Sequence, residues 1–81
     1  MMEARQKELM EQARRGVLKF VMDRGGRASL GEMHEFSEKR YLIAHQGFSR
    51  LMDSVVSEGL VEFDFSSNTA VLTEAGRAVL N

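Results

Sequence analysis

The 81-residue chain contains no cysteine, which removes disulfide staples, thiolate zinc sites, iron–sulfur clusters and a cysteine nucleophile together. It contains no proline either, so glycine and polarity must supply the punctuation between elements. Its unbroken apolar runs are only a few residues long, far short of the roughly 20 apolar residues that cross a bilayer. The N-terminus is charged, unlike a secretory leader, and the expectation is a cytoplasmic protein without a membrane partner. A basic excess is missing too: 11 Lys+Arg stand against 12 Asp+Glu, a formal net charge of −1. Nucleic-acid-binding domains often carry a marked cationic surplus, so that balance argues against one. What is present is ordinary for a soluble globular chain, 43% hydrophobic and 28% charged, with length for a single domain over residues 1–81.

Hydrophobic periodicity divides the chain. Residues 3–24 read as a helix, because Leu9, Met10, Ala13, Val17, Phe20 and Val21 recur at three- and four-residue spacing and Met2 extends the stripe. Gly16 inside it marks either a kink or a close packing contact, and Gly25-Gly26 ends it. Arg27-Ala28-Ser29 reads as a stub of strand. Ser29 and Glu32 have the spacing of a capping box, which starts a second helix over 30–38 with Met33 and Phe36 inward. A third helix spans 44–58 on Phe48, Leu51, Met52, Val55 and Val56, and Gly59 terminates it. The period then falls to two: Val61, Phe63 and Phe65 alternate with Glu62, Asp64 and Ser66. Ser66-Ser67-Asn68 is a turn, and Thr69–Leu72 returns to complete a hairpin over 61–72. Thr73 caps a short closing helix over 74–80.

Two segments carry a resemblance. Phe48-Ser49-Arg50-Leu51-Met52-Asp53-Ser54-Val55-Val56-Ser57-Glu58-Gly59-Leu60-Val61 looks like a recognition helix, its glycine stop and a first wing strand. Val71-Leu72-Thr73-Glu74-Ala75-Gly76-Arg77-Ala78-Val79-Leu80 looks like a second wing strand running into a closing helix. Together with the element order they make the chain resemble the winged helix–turn–helix family, as found in small bacterial and archaeal regulators of the MarR-like and PadR-like kind. The resemblance implies an α+β fold with a three-helix core, a C-terminal β-hairpin wing and a short closing helix. It also implies a dimeric transcriptional regulator that binds double-stranded DNA, with the third helix in the major groove. By position, the groove-facing residues would be His45, Gln46, Ser49 and Arg50, with Asp53 beside them. An approach loop would supply Lys39, Arg40 and Tyr41, and the wing tip Asn68. Gln46 suits bidentate pairing with adenine and Arg50 with guanine. The wing departs from the pattern, since residues 61–73 contain Glu62 and Asp64 and no lysine or arginine.

The charge is unevenly spread. Residues 1–27 hold seven basic and four acidic side chains; residues 28–60 hold three and five; residues 61–81 hold one and three. The basic excess therefore sits on the first helix, either as a solvated face or, through Arg14, Arg15, Arg24 and Arg27, along a DNA backbone. His34 and Glu38 share a helix face at i, i+4, but two ligands do not make a metal site, and no metal or cofactor is implied. Ser49, Ser54 and Ser57 lack the strained turn of a hydrolase nucleophile, and Gly25-Gly26 lacks the lysine and hydroxyl of a phosphate loop, so no enzyme is expected. A 22-residue helix runs about 33 Å. Apolar surface around Met2, Leu9 and Met10 is then left for a homodimer contact, unless the first turn simply frays. A second function class stays open beside DNA binding: a protein-interaction module presenting the first helix or the Phe63/Phe65 hairpin.

Overall fold

The computed structural model describes the backbone of residues 2–81 and the side chains of residues 7–81. Four helices and a three-stranded antiparallel sheet make an α+β domain. The elements are α1 (Met2–Asp23), β1 (Arg27–Ser29), α2 (Leu30–Tyr41), α3 (His45–Ser57), β2 (Val61–Asp64), β3 (Thr69–Leu72) and α4 (Glu74–Ala78).

The local signals act as the sequence indicates. Gly25 and Gly26 adopt φ of 86° and 91°, and the Gly26 N–H closes onto the Val21 carbonyl at 2.9 Å, ending α1. The capping box is complete: Ser29 Oγ accepts from the Glu32 N–H at 3.1 Å, and Glu32 Oε1 accepts from the Ser29 N–H at 2.9 Å. Gly59, at φ 75°, turns the chain out of α3, and Leu60 donates its N–H back to Val55 at 2.9 Å. Thr73 Oγ1 accepts the Gly76 N–H at 3.0 Å and donates to the Gly59 carbonyl at 2.6 Å, which ties the start of α4 to the end of α3.

The sheet order is β1-β3-β2, so the last strand is central. Ala28 pairs with Ala70, and Phe63 pairs with Ala70 from the other side. Residues of α1 (Ala13, Val17, Val21), α2 (Met33), α3 (Phe48, Leu51, Val55) and the sheet (Val61, Ala70, Leu72) meet in one core. Met33 is fully buried, and burial of such a side chain contributes about 1.5–3 kcal/mol.

Three expectations are corrected. The second helix does not stop at residue 38 but continues through Tyr41. Its stop is Leu42 in the left-handed region (φ 56°, ψ 35°), whose N–H bonds to the Glu38 carbonyl at 3.0 Å. Leucine performs a role normally signalled by glycine, so the terminus carries no sequence mark. Phe65 leaves the strand alternation, sits in the turn and stands 87% exposed. The closing helix ends at Ala78, and a turn follows. The other helix limits differ by one residue, within the fraying of helix ends. Gly16 marks a close contact: the Tyr41 ring occupies the space a β-carbon would need.

Candidate functional site

One side of α3 is core and the other is solvent. Phe48, Leu51, Met52 and Val55 are buried, which leaves His45, Gln46, Ser49, Arg50 and Asp53 exposed on the opposite face. None of these five side chains makes a hydrogen bond or ion pair among the described residues. His45 is steadied by stacking instead: its ring lies edge-on to His34 with centroids 5.4 Å apart, and His34 rests edge-on to Phe48 at 4.9 Å. The N-terminus of α3 has no side-chain cap, since Ala44 holds that position, so its first backbone N–H groups have no capping side-chain acceptor.

Two grooves flank this helix. Between α3, the start of α2 and the hairpin runs one of about 740 Å³. His45, Ser49 and Asn68 line it, together with the apolar side chains of Leu30, Met52, Val56, Phe63 and Phe65. Among the described residues its only formally charged lining residue is Asp53. Between α3 and α1 runs a second groove, of about 890 Å³, where Arg50 joins Lys7 and Arg14. Glu11 is the carboxylate among its lining residues. The face of α3 thus has an apolar flank toward the hairpin and a cationic flank toward α1. Lys7 was not singled out from sequence; its alignment with Arg50, 43 residues away, is purely tertiary and leaves no local signal.

The residues of the expected approach loop lie elsewhere. Lys39, Arg40 and Tyr41 form the last turn of α2, and the connection to α3 is Leu42-Ile43-Ala44. Lys39 Nζ donates to Glu35 Oε1 at 2.8 Å. That hydrogen bond, with the attraction between the two charges, raises the Lys39 pKa and lowers that of Glu35. Tyr41 is half-buried over Gly16 and contacts the Phe36 ring, and the Arg40 guanidinium lies 5.3 Å from the Tyr41 centroid. Arg40 lines a third groove, with Arg15 and Lys19 of α1. Neither Lys39 nor Arg40 lines either groove beside α3, so the expected cluster splits into Arg50 with Tyr41 on one flank, His45, Ser49 and Asn68 on the other, Gln46 exposed on α3 in neither groove, and Lys39 and Arg40 apart.

Two cations, one in α1 and one just after it, are already spoken for. Arg14 donates to Glu11 at 2.9 Å and to Glu58 at 2.7 Å, while Arg24 is paired with Glu32. The hairpin tip is acidic and self-satisfied: Asp64 Oδ1 accepts from the Ser66 N–H at 3.0 Å and from Ser66 Oγ at 2.6 Å. Hydrogen bonds from Ser66 and Ser67 hold that carboxyl below its ordinary range. Asn68 takes a left-handed conformation (φ 56°), and its carbonyl accepts the Leu30 N–H at 2.9 Å, which joins the hairpin turn to the start of α2. Among the described residues no group of three His, Asp or Glu side chains is placed to hold a metal ion, and no helix is long and apolar enough to cross a membrane.

Neither a family model, nor a curated protein, nor a solved structure matches this chain.

Proposed function

We propose that the chain is a winged helix–turn–helix domain that binds double-stranded DNA, with α3 as its major-groove reader and transcriptional regulation as its role. One observation carries this reading: His45, Gln46, Ser49 and Arg50 stand in a solvent-facing cluster on one helix, with no internal hydrogen-bond partner among the described residues, while Arg14, Arg24 and Lys39 are bonded to carboxylates. Side chains able to pair with base edges are thereby left available. Gln46 suits adenine and Arg50 guanine, each bidentate pair being worth about 1–3 kcal/mol of discrimination. Lys7, in the same groove as Arg50, is the cation left for the phosphate backbone on that flank, since Arg14 there is held by Glu11 and Glu58. The acidic β2–β3 hairpin supplies only neutral donors at its tip, so backbone contact on that side rests on Asn68 and its neighbouring serines.

Selection from a randomised duplex pool tests the reading. Enrichment of a defined site is expected, with a Gln46→Ala, Arg50→Ala double variant losing preference at the positions the two residues read. Two or three phosphate contacts per chain give a log–log salt slope of about −2 to −3 per bound chain. An unchanged site preference in the double variant would defeat the assigned roles.

A second reading, a protein-interaction module, is favoured by the apolar flank. The groove that includes His45 and Ser49 is walled by Phe63, Phe65 and Val56 and, among the described residues, carries no lysine or arginine. A polypeptide would exploit that surface; a phosphate backbone would not. Absence of DNA retention at low salt, together with one stoichiometric protein partner released by Phe65→Ser, would establish this reading in place of the first.

A further inference from the structure

We propose that the groove between α1 and the end of α2 is a docking site for an acidic amphipathic helix of a partner protein. The inference stands apart from the DNA reading and is measured without DNA. This third groove has a volume of about 760 Å³. Its α1 wall is one helical stripe, Leu9, Gln12, Arg15, Lys19 and Met22, at three- and four-residue spacing. From Leu9 to Met22 the stripe runs about 20 Å, which matches a partner helix of about four turns. Arg40 and Leu42 at the end of α2 join it, with Leu80 after α4. Among the described residues, none of α3 or of the hairpin lines this groove, so a partner seated here leaves the DNA-reading face uncovered.

Charge defines the occupant. Arg15, Lys19 and Arg40 are exposed and line the groove with no carboxylate among its described lining residues. None of the three is in an ion pair among the described residues, unlike Arg14, Arg24 and Lys39. Apolar side chains flank these cations. Leu9, 58% exposed, and the half-buried Met22 close the two ends of the stripe, and Leu42 stands 88% exposed. Leu42 also holds a left-handed conformation (φ 56°) in which glycine is the usual residue. A leucine there supplies an apolar contact that glycine would not. A phosphate backbone would leave the leucines unmatched, and a flat bilayer would not fill a recess between two helices. A helix with apolar residues near both ends of one face and carboxylates in the turns between matches both features. Packed helices lie about 8–10 Å apart, close enough for those carboxylates to reach the three cations.

Fluorescence anisotropy of a labelled peptide titrated with the full chain tests the proposal. The probe is an alanine-based helix of about 16 residues, with leucines near both ends of one face and glutamates in the turns between. Its counterpart carries lysines in place of the glutamates. The glutamate peptide should bind, less tightly as salt rises, and the lysine peptide about tenfold more weakly. Arg15→Glu and Lys19→Glu should each weaken the glutamate peptide about tenfold and strengthen the lysine peptide, since attraction and repulsion change places. Leu9→Ser should weaken binding without altering its salt dependence. All three side chains are exposed, and unchanged circular dichroism would verify the fold of each variant. No binding of the glutamate peptide, equal binding of the two peptides, or indifference to both charge reversals would each overturn the proposal. Binding to mixed phosphatidylcholine and phosphatidylserine vesicles but not to the peptide would overturn it in favour of a membrane surface. Self-association that excludes the peptide would overturn it in favour of a second copy.

Discussion

Replacing Gly76 by alanine tests the packing that seats the last helix. A β-carbon at this position would lie 2.6 Å from Leu72 Cδ1 and 3.1 Å from the Leu60 carbonyl carbon, and closer still to the Leu60 carbonyl oxygen. Carbon atoms settle at about 3.5–4.0 Å, so α4 must withdraw by roughly 1 Å. The Leu60 backbone, and not only the Leu72 side chain, stands in the way. The Leu60 carbonyl also accepts the Thr73 N–H at 3.1 Å, and Thr73 Oγ1 caps α4 through Gly76 itself. Withdrawal therefore strains both bonds. Overpacking costs about 1–3 kcal/mol and a weakened hydrogen bond about 0.5–1.5, while alanine returns about 1 kcal/mol of helix propensity over glycine. The net is a loss of about 2 kcal/mol, or a melting temperature lower by about 10 °C for a domain of this size. Urea unfolding followed by circular dichroism measures the first figure and a thermal scan the second. A Gly76→Ala variant as stable as the parent would mean that α4 does not sit against Leu60, and the account of how α3, the hairpin and α4 lock together would be wrong.

Gly31 offers the opposite outcome: nothing lies within 4 Å of an added β-carbon, so Gly31→Ala in the first turn of α2 should stabilise by about 0.5 kcal/mol in the same unfolding assay. Leu42→Gly should relieve left-handed strain and stabilise the fold by about 0.5 kcal/mol in urea unfolding. The Glu32 pKa is lowered, first by the Ser29 backbone N–H and then by the Ser29 side chain, so its contribution is present above the unfolded carboxyl value near 4.3 and is lost as pH falls through the folded value. Ser29→Ala should remove part of that acid-side loss and cost about 1 kcal/mol at neutral pH, as read from urea unfolding at a series of pH values. Glu58→Gln should release Arg14 from its 2.7 Å ion pair and raise DNA affinity about two- to threefold at low salt in fluorescence anisotropy; weaker binding would show that Arg14 is not on the DNA-facing flank.

Much of the architecture was legible because its signals are local. The capping box at Ser29 and Glu32, the paired glycines after α1, Gly59 after α3 and the period-two pattern from Val61 each specify backbone geometry within a few residues. Where the reading failed, the determining contact was distant or the residue unusual. The end of α2 depends on a leucine in a glycine conformation, and Tyr41 stays helical because its ring packs over Gly16 of another helix. The candidate site divides the same way. Helical periodicity alone exposes His45, Gln46, Ser49 and Arg50, but which cations are free does not follow from spacing. Arg14 is bonded to Glu58, 44 positions along the chain, and Lys7 comes to line one groove with Arg50 only through the packing of α1 on α3.

The position of β3 bears on how the protein is made. This central strand holds β1 on one side and β2 on the other, yet it is synthesised after both. During translation β1 and β2 have no common partner until residues 69–72 emerge, so the nascent chain can assemble helices but no sheet. Its two waiting strands are open edges for that interval, and β1, at three residues, is too short to be an effective template for another chain. The protein thus keeps its sheet unformed until the strand that pairs with both arrives.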